Sequence, residues 1–238
     1  MSRADKQLRR KHRKQKKQRH SRWAFSEFST ELPGNVVSLL GYDISFDPLE
    51  REDERIPGLD EALAPVRVQL FEDAHKNPQA AIPVLKGLLE RFPNAPILMN
   101  WLAAAMSRAR DFEGAVRVVR QNYEANPNYL FARIAYAQCR VQDGDLDAVD
   151  QIFEKQFDLK LLYPERKVFH ISEFRAFAHL MINYWIRRRE FEPARKLFEV
   201  LERLEPDGEL TQLLRGAVRG SSLLEAAKAL SSPSRYFR

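Results

Sequence analysis

From about Glu61 to Pro206 apolar residues recur at helical spacing, in runs parted by short polar breaks. Two of these runs are near copies. RDFEGAVRVVRQNYEANP ends at Pro127, and RREFEPARKLFEVLERLEP ends at Pro206. Each reads as an acidic residue, Phe and Glu, then Ala, an apolar helix face and a terminal Pro. Pro93 and Pro127 lie 34 residues apart, and the same step predicts a third end at Leu161. Pro206 then fits a fourth unit lengthened by an insertion of 11 residues. Twelve places before each end stands a small or branched residue: Ala81, Ala115, Val149 and Ala194. Four places later comes a larger apolar one: Leu85, Val119, Phe153 and Phe198.

Physical chemistry explains the pattern. Antiparallel helices approach closely where one offers a small side chain, and the larger residue one turn on fills the facing hole. A Pro after the second helix cannot continue it. The turns fall at Asp111–Gly114, Asp143–Leu146 and Arg189–Pro193, where an Asp can cap the incoming helix.

A 34-residue period of paired helices resembles the tetratricopeptide-repeat family over about residues 60–206. The resemblance implies an all-α, right-handed solenoid of antiparallel helix pairs, about four units long. Leu102, Ala103 and Met106, and again Met181, Ile182 and Trp185, stand where the family places first-helix core residues. The first unit departs, with Pro65, Gln69 and Glu72 at core positions and Pro83 inside its second helix; it is expected to kink or to act as an amino-terminal cap. The third unit lacks its Pro and runs into DLKLLYPERKVFHIS, residues 158–172, expected to lengthen the flanking helices or form a loop. Two short helices, 209–217 and 222–230, are expected to cover the last open face, so that residues 207–238 form a capping region and short tail.

Ahead of the solenoid, residues 23–60 hold three Pro, three Gly and an acidic cluster at Glu50–Glu54, and read as an irregular acidic linker with room for one short helix or strand. With only 9 glycines and no Asn-Gly or Asp-Gly between alternating apolar residues, hairpins are disfavoured.

Charge divides the chain. Residues 1–22 carry eleven of the 39 basic residues and one of the 33 acidic ones, leaving the body with 28 basic against 32 acidic. A tail this dense in like charge is expected to be disordered when free. Lys6, Arg9, Arg10, Lys11, Arg13, Lys14, Lys16, Lys17 and Arg19 suit a polyanion, neutralising phosphates without reading sequence. Other readings of the tail are a nuclear address, attraction to anionic lipid, or a solubilising segment. Trp23, Phe25 and Phe28 follow directly and could anchor it.

Candidate chemistry is sparse. No glycine-rich phosphate loop occurs, the five histidines have no metal-ligand spacing, and the single cysteine, Cys139, permits no internal disulfide. No apolar run reaches the length of a membrane span, and no signal core follows the basic start. The expectation is a protein without enzymatic activity, cofactor, metal or small-molecule substrate, placed in the cytoplasm, with the nucleus as the alternative in a eukaryote.

By resemblance to the family, the first helices line a concave groove that holds a protein segment. Helical spacing places Asn100, Ala104 and Arg108 on one face, then Ile134, Gln138 and Gln142, then His179, Asn183 and Arg187. The groove positions expected to touch a partner are Asn100, Arg108, Gln138, Gln142, His179, Asn183 and Arg187. The chaperone-binding clamp of some relatives is not reproduced, since Val66, Leu70, Phe131 and Ala135 occupy its places. The favoured function is an adaptor that grips a protein segment and is tethered by its tail to nucleic acid, ribosome or another polyanion. The alternative is a nucleic-acid-binding protein whose solenoid itself contacts the phosphate backbone.

Overall fold

A computed structural model describes residues 36–39, 41–47 and 56–219. The chain is mostly helical. After strands β1 (Val36–Leu39) and β2 (Tyr42–Ser45) come α1 (Leu59–Leu63), α2 (Arg67–Lys76), α3 (Pro78–Arg91), α4 (Pro96–Arg108), α5 (Phe112–Ala125), α6 (Leu130–Asp143), α7 (Leu146–Ile152) and α8 (Leu159–Leu162). Strand β3 (Val168–His170), α9 (Ile171–Arg187), α10 (Phe191–Leu204) and α11 (Glu209–Arg219) complete the described residues. No described helix is long and apolar enough to cross a membrane.

The pairs α2/α3, α4/α5, α6/α7 and α9/α10 each pack on themselves, and α3, α5 and α10 each pack on the helix that follows. First helices also touch in series: α2 on α4, α4 on α6, α6 on α9 and α9 on α11. All eight residues of the small/large pattern are buried, none more than 4% exposed. So are Leu102, Ala103, Met106, Met181, Ile182 and Trp185. A close approach within the second pair falls one residue before Ala115. A Cβ on Gly114 would stand 2.3 Å from both the Met106 methyl and an Asp111 carboxylate oxygen.

Local geometry repeats with the sequence. Arg110, Gly144 and Arg189, spaced 34 and 45 residues apart, are all left-handed, at φ 67°, 80° and 59°. At each, the next residue's N–H reaches back five positions: Asp111 to Met106 O (2.9 Å), Asp145 to Arg140 O (2.9 Å) and Glu190 to Trp185 O (2.8 Å). This is the Schellman closure, which satisfies otherwise unpaired carbonyls at a helix end. Asp111 and Asp145 then cap the following helix, accepting from Gly114 N (2.8 Å) and Ala148 N (3.1 Å). Glu190 supplies no such cap. At the other ends Phe92, Asn126 and Glu205 share φ of −127° to −140° and ψ of 60° to 71°, the non-helical backbone imposed by the Pro that follows each.

The left-handed sites make a paired prediction. Arg110→Gly relieves a Cβ clash at a strained φ, whereas Gly144→Ala introduces one in otherwise open space. Urea denaturation should show the first stabilised and the second destabilised, each by about 1 kcal/mol or slightly less.

Several expectations change. The linker contains a hairpin: β1 pairs antiparallel with β2, Leu39 opposite Tyr42, around Gly41 at φ 94°. Burial alternates along β2, with Tyr42 and Ile44 inward, so side-chain fit to a core outweighs the absent turn dipeptide. The insertion at 158–172 lends its last two residues to α9, which at 17 residues exceeds α4 at 13 and α6 at 14, and the rest of it is more than a loop. Asp158 caps α8, and β3 adds to β2 in parallel, Ile44 opposite Phe169. A three-stranded sheet β1-β2-β3 therefore stands within a mostly helical chain. Leu39, Tyr42, Ile44 and Phe169 join one core with α6, α7, α9 and α10, while the earlier helices form a second core around Leu59, Leu85 and Leu98. The third unit's second helix also stops early. It ends at Ile152 rather than near Leu161, because Glu154 and Lys155 turn left-handed at φ 52° and 59°.

Pro83 lies on the exposed side of α3, which runs unbroken from Pro78 to Arg91. The expected helix at 222–230, the basic tail and the Trp23–Phe28 anchor lie outside the described residues.

Candidate functional site

The serial contacts of α4, α6 and α9 place the three expected triplets on adjoining helices. They do not make one uniform polar strip. Gln142 is exposed, and Asn100, Ala104, Arg108, Gln138 and Arg187 are half-buried. Ile134, His179 and Asn183 are buried. Asn183 Nδ2 donates to His179 Nε2 at 3.2 Å, one helical turn away. Burial alone holds the His179 imidazole well down, to about 4, so it is neutral and accepts at Nε2. Asn183 Oδ1, and on α6 Gln138 Oε1, are enclosed and accept no hydrogen bond. Arg187 forms no ion pair with a described residue, in contrast to its neighbour Arg188, which binds Asp150 at 2.7 Å and Asp147 at 3.3 Å.

Neutral His179 has a consequence for acid stability. Its folded value lies below the unfolded value of about 6.5, so the unfolded chain takes up the proton first. Stability from this group is full above the unfolded value and is lost as pH falls from there toward 4. Between pH 7 and 5 the loss should be about 2 kcal/mol. Thermal melts at the two pH values, compared with those of His179→Gln, check it: the variant should lose most of that dependence.

Asn100 is occupied rather than open. Its Oδ1 accepts from Asn122 Nδ2 at 2.8 Å, and the same amide donates to Pro96 O at 3.1 Å. Asn122 Oδ1 accepts from Asn126 Nδ2 at 2.9 Å, and Asn126 donates onward to Asn94 O at 3.0 Å. This chain of carboxamides fastens α5 to α4 and to the turn before it. The sequence carried a usable signal for it: Asn122 interrupts an apolar helix face, where a polar side chain needs a partner.

Two further polar clusters were not anticipated. Tyr184 O–H donates to Asp150, which also takes Arg188, and the Arg188 guanidinium lies over the Tyr184 ring at 5.2 Å. Desolvation and the Asp150 carboxylate push the Tyr184 hydroxyl far above its ordinary value. Glu173 accepts from Arg166 at 3.0 and 2.8 Å and from His170 N at 3.0 Å, and His170 in turn caps α9 through Ser172 N at 3.2 Å. The His170–Ser172 neighbourhood therefore has a capping arrangement, tying β3 to α9. The first cluster bridges α7 and α9, 34 to 38 residues apart, while the second is local to residues 166–173. Among the described residues no group of three or more His, Cys, Asp or Glu could hold a metal ion.

No protein-family profile, curated protein or solved structure matches the chain.

Proposed function

We propose that the chain is a tetratricopeptide-like adaptor without enzymatic activity. Its helix pairs stack as a solenoid, its first helices present a groove to a protein segment, and residues 1–22 tether it to a polyanion. One observation carries the reading: the same left-handed turn recurs at Arg110, Gly144 and Arg189 while the first helices touch in series. Stacked helix pairs create an extended binding surface by repetition. Within it Gln142 and Arg187 are the members best placed to meet a partner, through its backbone amides and carboxylates.

The test has two arms on the full chain. Capture of partners is compared between wild type and Gln142→Glu/Arg187→Glu, with and without nuclease. Loss of the partner in the variant, and its survival of nuclease in wild type, are expected; identical capture by both proteins overturns the groove. The second arm replaces nine of the eleven tail cations, Lys6 to Arg19, with Gln and measures binding to a fluorescent single-stranded RNA. With about six phosphate contacts, wild-type affinity should fall on the order of a thousandfold between 50 and 200 mM salt. Salt-sensitive binding that survives the replacement overturns the tether and favours a helical body that contacts phosphate itself.

A further inference from the structure

The first helix pair departs from the 34-residue step. Ala81 and Ala115 keep it, but the helices before them end at Lys76 and Arg108, 32 residues apart. Asn77 alone joins α2 to α3, where Ala109, Arg110 and Asp111 join α4 to α5. Burial follows this shift of two. Leu70 and Ala74 take the enclosed places of Leu102 and Met106, and Val68, Glu72 and Lys76 take the groove places of Asn100, Ala104 and Arg108.

Phe71 then falls where α4 has the buried Ala103. A ring cannot fill a notch made for a methyl group. It stands outside instead, 48% exposed and edge-on to the half-buried Trp101 of α4 at 5.7 Å. Val68, three residues earlier on the same side of α2, is 73% exposed. The groove thus begins on an apolar patch shared by two first helices. Single exposed apolar residues are ordinary, whereas a contiguous patch marks a contact surface.

Two observations select what covers it. A second copy is a poor fit, because α2 has ten residues and is about 15 Å long, and two such faces bury less than the roughly 1,200 Å² of a stable association. Charge points to an acidic chain. Along the groove positions of α2, α4, α6 and α9 the charged residues are Lys76, Arg108 and Arg187 against Glu72, which Lys76 holds at 3.0 Å. Those four first helices touch in series, so the row spans three helix spacings, roughly 30 Å or about nine residues of extended chain.

We propose that the groove takes an acidic protein segment anchored by one large apolar side chain on Val68, Phe71 and Trp101, with its carboxylates running toward Arg187. The inference rests on the reading of this face as a groove and adds the chemistry and polarity of its occupant.

Peptide selection on the full chain tests it. Random peptides of about 16 residues, long enough to span the row, are displayed on phage and selected, and the enriched sequences are synthesised with a fluorescent label. They should share one Leu, Ile, Met or Phe, with Asp or Glu within about nine residues to one side. By anisotropy, Val68→Ser/Phe71→Ser should weaken binding about tenfold or more, the scale of burying one such side chain, as should Ser in place of the peptide's apolar residue. Val68→Ser alone leaves the Phe71–Trp101 contact in place and should weaken binding several-fold with an unchanged urea midpoint. Enriched peptides that are basic, that lack an apolar residue, or that ignore the α2 variants while losing affinity to Gln142→Glu/Arg187→Glu overturn the anchor and leave the groove. A wild-type dimer dissolved by Val68→Ser/Phe71→Ser gives the patch to a second copy and likewise overturns it. Peptides indifferent to both sets of variants, or no enrichment, overturn the groove and the anchor with it.

Discussion

Phe153→Ala should lower the stability of the chain by about 3–5 kcal/mol, the range for deleting a fully enclosed aromatic ring. Phe153 has no exposed surface. Its ring meets Phe177 edge-on at 5.8 Å, and the Arg133 guanidinium lies over it at 5.5 Å. Arg133 is itself buried and donates to Ile152 O at 2.6 Å, so removal of the ring also strips apolar cover from a charged group. Collapse into the cavity is hindered because α7 is only seven residues long and is held at its end by left-handed Glu154 and Lys155. Phe112→Ala, at a residue 47% exposed, is the control and should cost less than about 1 kcal/mol. Urea titration of the two variants checks the contrast. Equal midpoints would show that the third pair does not depend on its large residue.

Asn122→Asp should cost about 3 kcal/mol at neutral pH, although it exchanges a single NH2 for an oxygen. Asn122 is 1% exposed, and its amide donates to both Asn100 Oδ1 and Pro96 O. A carboxylate there loses both donations and faces two acceptors. Burial would raise its folded value above the unfolded value of about 3.9, so its penalty is absent below the unfolded value and grows as pH rises through it. The deficit relative to wild type should therefore shrink on acidification from pH 7 to 4. Thermal melts of both proteins at each pH isolate the effect from the acid sensitivity shared through His179. A deficit constant across that range would mean that the new side chain finds water or a donor beyond Asn126 Nδ2.

Much of the helical architecture was legible because it depends on local rules. The small and large residues at 34-residue spacing, the capping Asp111 and Asp145, and the prolines after Phe92, Asn126 and Glu205 act within a few residues of themselves. The third unit shows where such reading fails. Val149 and Phe153 sit in register and are buried, yet the helix that carries them ends halfway. Nothing between residues 153 and 161 breaks a helix as a proline would. The left-handed turn there is sustained by what the following segment packs against.

The candidate groove divides in the same way. Spacing correctly placed Asn100, Gln138 and Asn183 on first helices, but could not separate surface from interior. Gln142 is exposed, whereas His179 and Asn183 bond to each other out of solvent. A helix face is fixed by its 3.6-residue period, while its exposure depends on which other elements lie against it.

From its own residues the chain specifies caps, turns and the alternation of side-chain size, because each depends on neighbours within one or two turns. Tertiary packing decided the rest: the union of residues 36–45 with 168–170 into a sheet, the early end of α7, the carboxamide chain from Asn94 to Asn126, and the burial of His179. These join positions far apart in sequence. Their free energy comes from surfaces and hydrogen bonds that exist only once the elements meet, so no single segment contains the information.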